Sequence, residues 1–499
     1  MIRLTLAEVA AITGGHLDGG ADDAAVVTGP VVADSRQAAT GCLFAALRGE
    51  HVDGHDHAAA AVRAGAVAAL AAHPVPAPAV VVPDVRAALG RLARGVLDRL
   101  AARPAPGGPR VVAVTGSSGK TGTKDLIAPL LARAGRCVAS PESFNNELGV
   151  PLTVLRAGPD TRFLLLEMGA RMPGNIRYLC GIAPPSIGVV LNVGAAHTGV
   201  FGSREVTAAT KAELVEALPA GGVAVLNADD ALVAAMTART AARVVWFGRS
   251  AAAQVRAEQV RLDSAARASF RLVTPAGAAS LSLRLHGVHH VGNALAAAAV
   301  GLEAGLDVGE VAQALSARQP ASKWRMEVHE RPDGVVVVND AYNANPDSVR
   351  AGLQALVAMG AGRRTWAVLG EMLELGEAGP AEHDAAGRLA AGLGVGTVVA
   401  VGEGARPVHE GARSAGARTT WVPGVPQALE LLADGLRPGD VVLVKASRSI
   451  GLDRLASGLL HDAAAGQDRP DRSAGHNEAR DSGRTGEPGA ADGGREGQR

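Results

Sequence analysis

The sequence predicts an α/β protein of three domains, and three observations carry that prediction. Short apolar runs, mostly Val and Ala, alternate with stretches of helical spacing, which is how helix-covered parallel sheets are built. One such run, residues 111–114, passes into Thr115-Gly-Ser-Ser-Gly-Lys-Thr121, a glycine loop that opens directly into a helical pattern. At 499 residues the chain is too long for one core, because single cores stop growing at roughly 250–300 residues. A small N-terminal α/β domain is expected over residues 1–108 and a central P-loop ATPase domain with a mainly parallel sheet over 109–319. A C-terminal Rossmann-like domain is expected over 320–461. Residues 462–499 have scarcely an apolar side chain and are expected to form a disordered tail.

In the first domain, residues 4–13 have helical spacing, and residues 26–33 read as a strand running into Asp34-Ser35-Arg36. Residues 42–47 make a second strand, followed by the polar stretch from Arg48 to His55. A helix over 58–64, strands near 66–69 and 79–82, and a helix from Val85 complete it. Ala101 to Pro109 is a linker by its Pro and Gly content. In the second domain the pattern behind the glycine loop runs to Gly135, and a strand at 137–139 leads to the polar loop from Glu142 to Pro151. Strands at 163–167, 187–192 and 223–226 end in Glu167, in the segment to His197, and in Asn227 to Asp230. That polar edge of a parallel sheet is where open α/β folds bind ligands. The third domain has strand candidates at 335–339, 366–369, 397–401, 419–422 and 441–444, with helical patterns between them.

Charge and composition exclude several classes. Lys plus Arg equal Asp plus Glu at 49 each, so no basic field points to nucleic acid or an anionic membrane. Cys42, Cys137 and Cys180 match no metal spacing, as expected of a reduced, cytoplasmic protein. The N-terminus lacks a signal-peptide pattern, and no apolar run of about 18 residues is present to span a membrane. Apolar residues make up 47% of the chain but aromatics only 2%, so the cores should be tightly packed and alanine-rich.

The chemistry starts at the glycine loop. A strand, a tight turn and a helix N-terminus put backbone N–H groups where phosphates would sit. Thr115, Gly116, Ser117, Ser118, Gly119 and Gly122 form this cradle, whose glycines let the backbone close on an anion. Lys120 would reach the β- and γ-phosphates, and the Thr121 hydroxyl would hold magnesium. The usual motif has a glycine where this chain has Val114, so the loop is the shorter G-x-x-G-K-T form. Glu167 ends a buried strand, where a carboxylate needs a cation: magnesium, or an arginine in the plainer reading. His197 becomes a candidate ligand in the company of Thr121 and Glu167 at successive strand ends. Lys211 lies in an unremarkable helical pattern and reads as solvent-exposed. In the third domain, polar loops run from Asn339 to Ser348, from Gly370 to Gly376 and from Lys445 to Ser449. Asp347 or Ser348 is suited to cap the helix behind the first of them. Polar edges on two domains point to an active site between them.

These residues together resemble the Mur ligases, a family that joins amino acids to UDP-linked muramoyl peptides. The resemblance covers roughly residues 25–458. Thr115 to Thr121 is similar to that family's short P-loop, and Asn192 to His197 to its metal-binding histidine segment. Lys211 stands where the family carries a lysine carbamylated by carbon dioxide, and only the resemblance makes it a site residue. Gly287 to Ala297 resembles the adenine-contacting segment, with Asn293 matching and His290 standing where asparagine is usual. Arg325 matches the interdomain arginine that reaches the phosphates, and Asp340 the acidic residue near the ribose. Ser35, Arg36, the Gly54-His55 pair, Phe144, Asn145 and Asn146 resemble segments that hold the UDP-muramoyl peptide. Tyr342, Asn343, Asn345 and Pro346 are similar to the branch that adds D-alanyl-D-alanine. The resemblance implies ATP and two magnesium ions as cofactors, UDP-N-acetylmuramoyl-tripeptide and D-alanyl-D-alanine as substrates, and a monomer making a peptidoglycan precursor. Another Mur-type or folylpolyglutamate synthetase-like amino-acid ligase, and a non-catalytic nucleotide-binding protein, stand as alternatives.

Overall fold

The computed structural model describes residues 1–49, 52–103, 107–194 and 203–465, with backbone alone over 462–465. It contains three α/β units, each built on its own mainly parallel sheet. In the first, five strands run in the order His16–Asp18, Ala79–Val81, Ala68–Ala71, Leu43–Ala45 and Val31–Val32. All neighbours are parallel except the first pair. The sheet is covered on both faces, which is why Ala68–Ala71 is apolar throughout rather than alternating. The helix expected over 4–13 begins only at Leu6, where Thr5 and Glu8 form a capping box. The strand expected over 26–33 is two strands, Val26–Val27 pairing with Leu4–Thr5 and Val31–Val32 entering the five-stranded sheet. Gly29 and Pro30 divide them, since Pro30 has no N–H and a Cβ on Gly29 would lie 2.9 Å from the Cys42 nitrogen.

The central sheet has nine strands. Cys137–Ala139, Phe163–Glu167, Arg110–Thr115, Ile187–Val190, Val223–Asn227 and Arg243–Gly248 are parallel neighbours in that order. An extension follows: Val255–Leu262 joins parallel to Arg243–Gly248, and Arg267–Thr274 and Gly277–His286 continue it antiparallel. Sequence reading missed this extension, although Arg267–Thr274 alternates exposed and buried residues almost without exception. Helices Lys120–Ala134 and His290–Glu303 lie side by side on one face. Ala294 and Ala296–Ala299 are buried there, and a Cβ on Gly301 would sit 3.2 Å from Leu130, so small residues let the two helices approach. On the other face, helix Val85–Ala101 of the first unit packs on Gly149–Val154 and Asn175–Ile182. One apolar core, including Leu89, Leu92, Val154, Ile176 and Leu214, therefore runs through both units.

The third unit orders its strands as Glu327–Glu330, Val336–Asn339, Val441–Lys445, Thr365–Leu369, Thr397–Val401 and Thr419–Val422. Only the first pairing is antiparallel. Its last helix, Asp453–Ala465, carries regular structure four residues into the stretch expected to be tail; residues 466–499 lie outside the described residues. No helix among the described residues is long and apolar enough to cross a membrane. The ends of the central strands at Thr115 and Glu167 face the ends of the third-unit strands at Asn339 and Lys445. Between them is a cavity of about 370 Å³.

Candidate active site

The glycine loop is fixed by the neighbouring strand. Asn192 accepts from Ser118 N through its side-chain Oδ1 (2.9 Å) and from Ser117 N through its carbonyl (3.1 Å), while its Nδ2 donates to Ser118 O. Gly194 N closes the clamp on Ser117 Oγ at 2.9 Å. The strand expected to reach Asn192 ends at Val190, which frees Asn192 for this work. Gly119 caps the helix with φ +82°, and a Cβ there would lie 2.7 Å from Asn293 Oδ1. Lys120 Nζ folds back to donate to Gly116 O at 2.8 Å. Desolvation holds the Lys120 pKa below its ordinary value, with Arg325 adding to the effect and Glu167 opposing it. Thr115 Oγ1 is buried and has no hydrogen-bond partner among the described residues.

At the floor of the cavity Glu167 is 1% exposed. Its carboxylate accepts from Thr121 Oγ1 (2.8 Å) and Asn145 Nδ2 (2.7 Å), and Thr121 Oγ1 also lies 3.1 Å from Ser143 Oγ. Its direct partners are neutral, and no arginine pairs with it among the described residues, contrary to the plainer reading. A buried carboxylate flanked by hydroxyl oxygens is a hard-oxygen set suited to magnesium.

Lys211 overturns its reading as an exposed residue, being 3% exposed on helix Arg204–Glu216. The helix turns Thr207, Thr210, Lys211 and Leu214 inward together, a face its weak apolar periodicity concealed. Nζ has no hydrogen-bond partner among the described residues. Burial, with help from the nearby Lys120 charge, lowers its pKa to about 7. His197 lies outside the described residues.

The opposite wall belongs to the third unit. Arg325 donates from Nη2 to Ser143 Oγ at 2.9 Å and stacks on the Tyr342 ring at 4.1 Å. Its two neighbours, Trp324 (φ 57°) and Met326 (φ 49°), are both left-handed, each costing of order 1–3 kcal/mol that the surroundings must offset. Asp340 accepts Met326 N at 3.1 Å and pairs with the buried Lys445 Nζ at 2.6 Å, which also donates to Asn343 O. Sequence reading noted the Lys445 loop without making Lys445 a site residue; a lysine closing an all-apolar strand was the available signal. Asn345, rather than Asp347 or Ser348, caps helix Pro346–Met359. Pro346 supplies the reason, because it takes the first helical position, where its missing N–H costs nothing, and puts the cap immediately before it.

Asn293 lines the cavity beside the glycine loop, 3.4 Å from His290 Nδ1, and the His289 and His290 rings stand 4.2 Å apart. Burial drives His289 to about 4 and His290 well below the usual imidazole value, so both are neutral near pH 7. Other expected residues are elsewhere. Phe144 is 40% exposed outside the cavity lining, and Asn146 Oδ1 is engaged by Leu148 N and Gly149 N at a helix start. Ser35 and Arg36 form a 3₁₀ turn in the first unit, with Arg36 paired to Asp34 at 2.8 Å, and the structure does not bring them to this cavity.

Comparison with known proteins places this geometry among relatives. Residues 30–96 match the model "Mur ligase family, catalytic domain", residues 114–301 "Mur ligase middle domain", and residues 324–448 "Mur ligase, glutamate ligase domain". The chain is 51% identical to a UDP-N-acetylmuramoyl-tripeptide–D-alanyl-D-alanine ligase of Mycobacterium bovis, over 94% of this chain and 100% of that protein. It is 34% identical to the Escherichia coli ligase of the same name, over 92% and 99%. Among solved structures, MurF from Acinetobacter baumannii superposes with TM-score 0.83 at 30% identity, covering 92% of this chain and 99% of that one. MurF ligase from Thermotoga maritima, solved in complex with ADP, gives 0.74 at 27% identity, covering 88% and 99%.

Proposed function

The chain belongs to the Mur ligase family, and we propose that it joins UDP-N-acetylmuramoyl-tripeptide to D-alanyl-D-alanine, consuming ATP, in the cytoplasm. The observation that carries this reading is the cavity between units. One wall is a P-loop with Thr121 on a buried Glu167, and the other presents Arg325, Asp340 and Lys445.

A carboxylate is a poor electrophile because it has no usable leaving group. The terminal carboxylate of the tripeptide attacks the γ-phosphorus of ATP, the bond to ADP breaks, and an acyl phosphate forms. The dipeptide amine then attacks the acyl carbon, loses a proton and expels phosphate. Gly119, Lys120 and Thr121 cradle the phosphates through backbone N–H groups at the helix N-terminus, while the Ser117 and Ser118 N–H groups hold the loop to Asn192. Lys120 and Arg325 offset the charge that spreads over the transferring phosphoryl group. Asp340, fixed by Lys445, accepts from the ribose, and Asn293 stands beside the base. Tyr342, Asn343, Asn345 and Pro346 border the dipeptide, while Ser35, Arg36, Phe144, Asn145 and Asn146 hold the UDP-muramoyl peptide. Thr121 and Glu167 would hold one magnesium ion, and Lys211, once carbamylated, would hold a second with His197 and Glu167. Such ions neutralise phosphate charge and align reacting oxygens. Carbamylation needs an unprotonated amine. At pH 7 a lysine with pKa about 7 is half neutral, against roughly one in three thousand for an ordinary lysine.

The test is phosphate release from ATP in the presence of UDP-muramoyl tripeptide, with and without D-alanyl-D-alanine. Release should depend on the dipeptide and yield the pentapeptide. Indifference to the dipeptide sinks the assignment.

A further inference from the structure

Arg448 belongs to none of the walls described above, yet its guanidinium lies over two aromatic rings. It sits 4.4 Å from the Trp324 ring centroid and 5.1 Å from that of Tyr342. Tyr342 also carries the Arg325 guanidinium at 4.1 Å. Trp324, Arg448, Tyr342 and Arg325 thus form a contact series alternating aromatic ring and cation. Arg448 is exposed, and among the described residues its guanidinium has neither an ion pair nor a hydrogen bond. The rings are what it engages.

The segment under this series needs holding. Trp324 and Met326 are left-handed on either side of Arg325, an arrangement that side chains other than glycine adopt only when surroundings enforce it. Three polar contacts help: Trp324 N to Glu327 Oε2 (3.0 Å), Met326 N to Asp340 Oδ1 (3.1 Å) and Tyr342 N to Trp324 O (3.1 Å). Arg448 adds a contact from far along the chain. Its own loop is anchored by Ser447, whose N donates to Glu371 O (3.0 Å) and whose Oγ accepts from Leu373 N (2.9 Å). A planar cation on the Trp324 face keeps the indole in place. Its like charge also disfavours any swing of Arg325 away from Ser143 toward the third unit.

We infer that Arg448 is a positioning residue for Arg325, keeping the 324–326 bend in the form that aims the Arg325 guanidinium across the cleft. The inference rests on the proposed function only for what Arg325 meets there. It is tested with Arg448→Met, which keeps an unbranched chain and loses the charged plane, and Arg448→Lys, which keeps the charge alone. Hydrogen exchange of the peptide spanning 322–328, in the full-length protein without substrates, should speed up about tenfold in Arg448→Met while the rest of the chain is unchanged. The kcat should fall about tenfold with KM for ATP moving less than about threefold, and Arg448→Lys should recover part of the loss. The double variant Arg325→Met/Arg448→Met should turn over no more slowly than Arg325→Met. Unchanged exchange, or losses that multiply in the double variant, overturn the inference. If the wild-type protein ignores the dipeptide, the function above fails and the exchange measurement still decides on Arg448.

Discussion

Lys211 has two faces at the scale of one residue. Its ammonium is buried and lies near a second cation, so the folded apoprotein prefers the neutral amine. Between pH 7 and the ordinary lysine value of about 10.5, the unfolded chain binds a proton that the folded chain does not, so stability from this group rises with pH. Most of the cost is present at pH 7 and all of it well below pH 7, up to roughly 5 kcal/mol. Lys211→Met should therefore raise the apoprotein Tm at pH 7 in carbon-dioxide-free buffer and remove its climb toward pH 9, while abolishing turnover. A melting series from pH 6 to 9 on both proteins checks it; parallel curves refute it. Little of this was legible in the sequence, because burial of a lysine depends on what packs against its helix, and the helix's own apolar periodicity is weak. Glu167 was more legible. It ends the strand Phe163–Glu167, whose other residues are all apolar, so its carboxylate is conspicuous from residue order alone.

At the scale of elements, the strand–loop–helix unit from Arg110 to Ala134 was readable almost residue by residue, since its turn requires glycine. Gly119→Ala would place a methyl group at φ +82° and 2.7 Å from Asn293 Oδ1. ATP affinity should drop at least about tenfold while Tm shifts by only a few degrees, as calorimetric titration and melting would measure. Unaltered affinity would mean that Asn293 and the loop yield without loss. Elements without such punctuation were misread. The strand expected over 26–33 is split by Gly29-Pro30, and the hairpins from Val255 to His286 lack the continuous apolar runs that mark the other strands, because one face of each is exposed. The Asn345 cap was missed for a similar reason: Asp347 and Ser348 look equally able until Pro346 is recognised as the first helical residue.

Across the whole molecule, the cleft is closed by a few contacts of high leverage. Ser322 Oγ donates to Asp125 Oδ2 at 2.5 Å, Arg325 reaches Ser143, and Arg171 of the central unit meets Glu374 of the third at 3.0 Å. A hydrogen bond to a carboxylate contributes about 1.5–3 kcal/mol when well formed, enough to shift a two-state closure by about tenfold or more. Ser322→Ala should slow turnover severalfold and raise KM for ATP with little change in Tm; unchanged kinetics would remove this contact from closure. The sequence by itself determined the three α/β units, the short P-loop, the carboxylate at the strand end and the family, because each is written in local spacing and residue type. Only the tertiary structure decided that Lys211 is buried, that Lys445 locks Asp340 and that Arg448 covers Trp324. These facts depend on which distant segments meet, and burial, desolvation and stacking come into being only at that meeting.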